Sequence, residues 1–231
     1  MTDTLAPYSM TNDNIILLLL ILNLVGVSYV LLMNGANIFE RAKCIFYYEN
    51  KSTPYNDRTH ITRICNLLMD FQAVFYATIV ATGFVDEHSF EITAANALPV
   101  MGTLAGLFSV FYLIKKVVYL TVNNILFAKG EADEWNDFCS FTTKLWGFTL
   151  SPAALAILFI PAIPLKYVEF YSILTLAAYL YTIIKGATKI IFAKKCIYVD
   201  IFLYLCALEF LPMAMVWKTV QQLGDFITIK I

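Results

Sequence analysis

The sequence predicts an all-α fold: a polytopic transmembrane helix bundle of about six spans, with amphipathic interfacial helices in its inner loops and both termini outside. Three observations carry that prediction. Of 231 residues, 60% are hydrophobic and only 14% charged, with a mean hydropathy of +0.70, whereas a soluble domain carries about 25% charged residues. The apolar residues fall in long runs, and the basic residues alternate between the segments that separate those runs. A net charge of −1 with sequence pI about 6.1 excludes an electrostatic nucleic-acid binder, and the composition excludes a disordered tail or a disulfide-stapled secreted domain. Residues 1–231 read as a single integral membrane domain whose first partner is the lipid bilayer.

A helix crosses the roughly 30 Å hydrocarbon core with about 20 mostly apolar residues. The first such window, 15–33, is broken only by Asn23, Gly26, Ser28 and Tyr29. Asp3 and Asp13 precede it without any basic residue, so it reads as an N-out anchor rather than a cleaved signal. The second window, 67–85, carries Ala73, Ala77 and Ala81 at every fourth position. The third, 94–114, contains Gly102-Thr-Leu-Ala-Gly106, with Ser109 about one turn further on. Small residues at this spacing let helices approach closely in lipid. They are expected to join two helices of this chain, with self-association as the alternative. The fourth window, 145–165, holds Pro152, Pro161 and Pro164, and the fifth, 167–184, follows so directly that the two form a tight hairpin. The sixth, 201–217, is interrupted by Glu209 and Pro212.

Orientation follows from the basic residues, because cytoplasmic loops are enriched in Lys and Arg. Thirteen of the 16 fall on one side of this map, among them Arg41, Lys43, Lys115, Lys116, Lys129, Lys144, Lys185 and Lys189. The inner segments pair these with apolar faces: Ile38, Phe39, Ala42, Ile45 and Phe46; then Val117, Tyr119, Leu120, Ile125 and Phe127 beside Asn123 and Asn124; then 190–192. Such segments are expected to lie along the membrane surface. The runs 125–129 and 190–194 differ only at their second residue, read either as the trace of a duplicated hairpin or as reuse of the same interfacial residue types. Cys44, Cys65, Cys139 and Cys196 fall in or beside inner loops and Cys206 in a helix. They read as structural thiols without a disulfide framework.

Glu209 is the acidic residue nearest the middle of a predicted span. Holding a carboxylic acid neutral at pH 7, or leaving a charge unpaired in lipid, costs on the order of 3 kcal/mol either way. Pro212 lacks an N–H and frees the carbonyl of Leu208 beside it. Three readings stay open for Glu209: a hydrogen bond that fixes helix register, a contact with a cation or a basic residue of another subunit, or a proton or ion site. Asp70 is the second intramembrane candidate, at i+7 from Arg63 and i+4 from Asn66, in a polar cluster at the inner boundary. Asn23, Gln72 and Asn96 are expected to cross-link helices. Glu131, Asp133, Glu134 and Asp137 read as a solvated acidic loop around Trp135, since the glycine turn and regular oxygen spacing of a calcium loop are missing. His60 and His88 fall on opposite sides and make no common metal site. No phosphate-loop, zinc-protease, dinucleotide or serine-hydrolase motif occurs, so no catalytic residue, metal or cofactor is assigned.

The run Tyr204-Leu-Cys206-Ala-Leu208-Glu209-Phe-Leu-Pro212 resembles the C-terminal signature of a family of uncharacterised multi-span inner-membrane proteins of the Bacteroidota, a domain of unknown function. Lysines stand in the preceding inner loop, Lys185 to Lys195, where arginines are expected from that family. The resemblance implies a bacterial cytoplasmic membrane with periplasmic termini, and it implies no activity, substrate or cofactor. The expectation is a non-enzymatic subunit or assembly factor that docks with other membrane proteins or with itself. The alternatives are a small proton- or cation-coupled transporter using Glu209 beside the Pro212 break and, third, a membrane-embedded lipid enzyme.

Overall fold

The computed structural model describes residues 14–46, 60–88, 97–126, 129–160 and 164–190, together with Glu209, Ala214, Met215, Lys218 and Thr219. The described elements are all helical: α1 Asn14–Phe46, α2 His60–His88, α3 Ala97–Leu126, α4 Lys129–Thr149, α5 Ser151–Phe159 and α6 Leu165–Ile190. Four helices contain stretches long and apolar enough to cross a membrane, Asn14–Lys43, Arg63–Val85, Ala97–Asn123 and Leu165–Thr188. Their lipid-type character shows in what they leave outside. Leu18, Leu22, Leu32, Leu113, Phe170 and Ile173 are all exposed, an apolar exterior that water would not tolerate.

Helix α2 is the hub. Half of its apolar window (50%) is buried, against 22% for each of the other three, and it packs on α1, α3, α4 and α5. Its buried hydroxyls need no partner helix: Thr78 donates to the carbonyl of Val74 and Thr82 to that of Thr78, both at 2.8 Å, the local back-bonding open to threonine in a helix. On α1 the buried residues Ile16, Leu20, Asn23 and Val30 recur at helical spacing and face α2, while the rest of the helix stays outward. The carboxamide oxygen of Asn23 and the amide nitrogen of Gln72 are buried without a hydrogen-bond partner. These atoms therefore do not form the expected helix cross-links, and Asn96 lies outside the described residues.

Several sequence expectations are corrected here. The fourth window is not one uninterrupted helix over 145–165. Helix α4 begins at Lys129, and Pro152 stands in the first turn of the nine-residue α5, where a missing N–H is harmless. Alone, α5 is about 14 Å long, too short to cross the core. Backbone bonds from Leu150 N to Trp146 O and from Ala154 N to Leu150 O carry the helical register through the junction. The inner segments of the first and third loops continue the helices that precede them: 38–46 continues α1 and 117–126 continues α3. Tyr119 and Asn123 are buried, and Asn123 donates to the side-chain oxygen of Asn136 on α4. The acidic run is not a loop but the first half of α4, with Trp135 buried and Asp133, Glu134 and Asp137 exposed. Cys65 and Cys139 are buried in helices as free thiols. The sixth window, Pro212 and the 190–194 half of the pentapeptide similarity lie largely or wholly outside the described residues.

The small residues differ in what they meet among the described residues. A Cβ placed on Gly147 of α4 falls 2.3 Å from the Ala73 Cβ and 2.5 Å from its Cα, so Ala73 of the alanine stripe meets Gly147 where α2 and α4 touch. Gly186 of α6 similarly receives the ring of Phe138. The GxxxG of α3 meets no other helix among the described residues. Gly102 and Gly106 are exposed, with nothing within 4 Å of an added Cβ, because α3 turns Val100, Leu104 and the polar residues below them toward α2 and α4 instead.

Candidate functional site

Lys115 and Tyr119 stand four residues apart on α3 and therefore on one face. Cys139 and Thr143 have the same spacing on α4, and α6 contributes Tyr179. Glu209 enters this group and is only 1% exposed. The Lys115 ammonium lies 2.7 Å from Glu209 Oε2 and donates to the Tyr179 hydroxyl, also at 2.7 Å. Tyr119 donates to Glu209 Oε1. The Tyr179 oxygen is 3.2 Å from both carboxylate oxygens. Having accepted from lysine, its single proton serves one of them at a time. The ammonium also lies 5.6 Å and 5.2 Å from the ring centres of Tyr119 and Tyr179, within the range in which aromatic faces attract cations.

A second pair stands beside the first. Lys144 of α4 is 3.5 Å from Asp70 Oδ1 and donates to Asn66 Oδ1 at 3.0 Å, while Tyr112 of α3 donates to Asp70 at 2.7 Å. Tyr112, Lys115 and Tyr119 fall at i, i+3 and i+7, so one face of α3 serves both pairs. The result is a polar seam joining α2, α3, α4, α6 and Glu209. Arg63, the cation nearest Asp70 in the sequence, is exposed, and Lys144 takes its place.

Adjacent to the seam is a cavity of about 590 Å³ whose lining includes Ala77 and Ala81 of α2, Phe108 and Phe111 of α3, Trp146 of α4 and Leu176 of α6, with Lys115, Tyr112 and Tyr179 at one end. The alanines after Ala73 thus border this space. Among the described residues, no group of three or more His, Cys, Asp or Glu is placed to hold a metal ion. His60 and His88 stand at opposite ends of α2, about 42 Å apart along its axis.

Sequence reasoning singled out Glu209 and Asp70 but missed both lysines, which it counted among the basic residues of the third inner loop. The legible signal was the apolar context of Lys115: Leu113 and Ile114 precede Lys115 and Lys116, and Val117, Val118 and Tyr119 follow, so the helix stays lipid-compatible on both sides. Lys116, about 100° further around the same helix, is exposed.

Residues 13–220 match the family described as Domain of unknown function (DUF4271). The chain belongs to this family. The match extends through Glu209, so the polar seam lies within the family's domain. No curated protein and no solved structure matches this family member.

Proposed function

We propose that this member of the family is a non-enzymatic subunit or assembly factor of a membrane complex in the cytoplasmic membrane of a Bacteroidota bacterium. In this reading 1–231 forms one integral membrane domain with six crossings and both termini periplasmic. Helices α4 and α5 together, about 45 Å long, supply the fourth crossing and the 201–217 segment the last. The alternation of basic residues supports the orientation.

One observation carries the functional reading: in the Lys115–Glu209–Tyr119–Tyr179 network each charge meets its counter-charge within the chain. A buried pair of this kind costs several kcal/mol in desolvation and is a weak source of net stability, but it fixes which groups stand together. It fastens Glu209 to α3 and α6. The exposed Gly102 and Gly106 then leave a small-residue face on α3 for a neighbouring helix in lipid. Chemical crosslinking in native membranes should recover a stoichiometric partner. Recovery of this chain alone across several detergents would count against the proposal.

A proton- or cation-coupled transporter is the second reading, favoured by one fact: Lys115 and Tyr179, which both contact Glu209, also border the cavity. Glu209→Gln separates the two. Loss of the protein from the membrane supports the fastening role, whereas normal abundance with a loss-of-function phenotype supports transport.

A further inference from the structure

The polar seam holds two carboxylate–lysine pairs that differ in their access to the outside. Asp70 is 21% exposed and Glu209 only 1%. Both are reached from one face of α3: the Tyr112 hydroxyl donates to Asp70 at 2.7 Å, and Lys115, one turn further on, holds Glu209. Ionisable groups inside a membrane-spanning bundle commonly form proton relays. Here Asp70 with Tyr112 makes one hydrogen-bonded set and Glu209 with Tyr179 another, with the end of the cavity between them.

The cavity is a slot whose polar end is lined by Tyr112, Lys115, Thr143 and Tyr179. Its volume of about 590 Å³ easily admits a water molecule, which needs roughly 10–15 Å³ and two to four polar partners. Counting donors and acceptors supplies three. The Lys115 ammonium has three protons, of which Tyr179 and Glu209 take two, and the third can be given to a water oxygen. Tyr112 and Thr143 donate their own protons elsewhere, to Asp70 and to the Cys139 carbonyl. Their oxygens keep lone pairs that accept from the water. The Ala77, Phe108 and Leu176 side chains further along the slot offer water no such partners.

We infer that the seam is a proton path that loads Glu209 from the Asp70 end, through the Tyr112 hydroxyl, a water at the polar end of the slot and the Tyr179 hydroxyl. This route rests on the second reading above, Glu209 as a proton site, and adds the entrance and the carriers. A proton taken up by the Asp70 carboxylate passes to the Tyr112 oxygen as the tyrosine releases its own proton to the water. The water releases one to the Tyr179 oxygen, and Tyr179 gives its proton to Glu209. Asp70 ends as the carboxylate again and Glu209 as the neutral acid, with every hydroxyl restored. Lys115 stays charged throughout, held by Glu209 Oε2 and by the Tyr119 and Tyr179 rings, whose attraction for a cation does not depend on the charge of Glu209. Of the other titratable groups, Tyr119 of α3 and Cys139 of α4 face Glu209. Lys144 of α4 faces Asp70, with Lys116 and Asp137 acting on Lys144 from further off.

The test uses the full chain in lipid nanodiscs, with time-resolved infrared spectroscopy after a laser-released proton. The carbonyl band of newly protonated carboxylic acid should appear, and Glu209→Gln should remove the Glu209 share of it. Tyr112→Phe should keep the final amplitude of the Glu209 band and slow its appearance about tenfold, the scale of one lost hydrogen bond. Thr143→Val, which removes a partner of the water, should slow it likewise and carries the test if Tyr112→Phe does not fold. Tyr119→Phe, which touches Glu209 off the route, should leave the rate unchanged. No Glu209 band at all overturns the second reading together with the path. A Glu209 band that appears at the unaltered rate in Tyr112→Phe and Thr143→Val, or that Tyr119→Phe slows equally, overturns the path alone.

Discussion

At the scale of single residues, burial decides what the Lys115–Glu209 pair is worth. Glu209 is 1% exposed and Lys115 12%, so neither can exchange its partner for water. Removing one charge leaves the other uncompensated, which costs about 3–5 kcal/mol in buried pairs, whereas replacing both with apolar residues of similar volume is often neutral. Lys115→Met and Glu209→Met should each lower the melting temperature sharply in detergent, and the double variant should recover most of the loss. A double variant as unstable as the sum of the singles would show that the two residues act independently. The Lys144–Asp70 pair is longer, at 3.5 Å, and Asp70 is 21% exposed. Lys144→Met should therefore cost less than Lys115→Met in the same assay.

At the scale of elements, the glycines separate close helix approaches from open faces. A methyl group on Gly147 would overlap the Cα and Cβ of Ala73, atoms that cannot rotate away. Gly147→Ala should push α4 off α2 and destabilise by about 1–3 kcal/mol, the usual range for overpacking. On Gly186 the obstacle is the outer edge of the Phe138 ring, which can turn, so Gly186→Ala should be milder. Gly102→Ala and Gly106→Ala meet nothing and should leave melting unchanged within about 0.5 kcal/mol, while reducing the crosslinked complex if this face docks a partner. Thermal melts of the four variants, beside crosslinking yields for the last two, check the ordering.

At the scale of the whole molecule, α2 is central and the polar seam ties its flanking helices together, while the exterior is apolar. The proposed six-crossing arrangement makes a direct prediction. Alkaline phosphatase, which is active only in the periplasm, should be active when fused at either terminus and inactive when inserted near Lys51 or Lys129. Activity at one terminus alone would refute an even number of crossings. The sequence pattern made the long helices legible because about 20 apolar residues are an unambiguous physical requirement. It misjudged where they end, because a helix can continue through Lys115 or Asn123 once a neighbouring helix supplies the partner.

The sequence by itself determined that the described elements are helices, four of them with membrane-length apolar stretches, that the chain belongs to its family, and that Glu209 and Asp70 need compensation inside it. Those follow from composition, run length and the cost of charge in lipid, which are local quantities. Only the tertiary structure decided which lysine compensates which carboxylate, that Ala73 rests on Gly147 while Gly102 and Gly106 face outward, and that a slot opens beside the seam. Each of these depends on how helices rotate about their axes relative to one another. That rotation is set by packing between residues far apart in the chain, such as Lys115 and Glu209, and no local spacing encodes it.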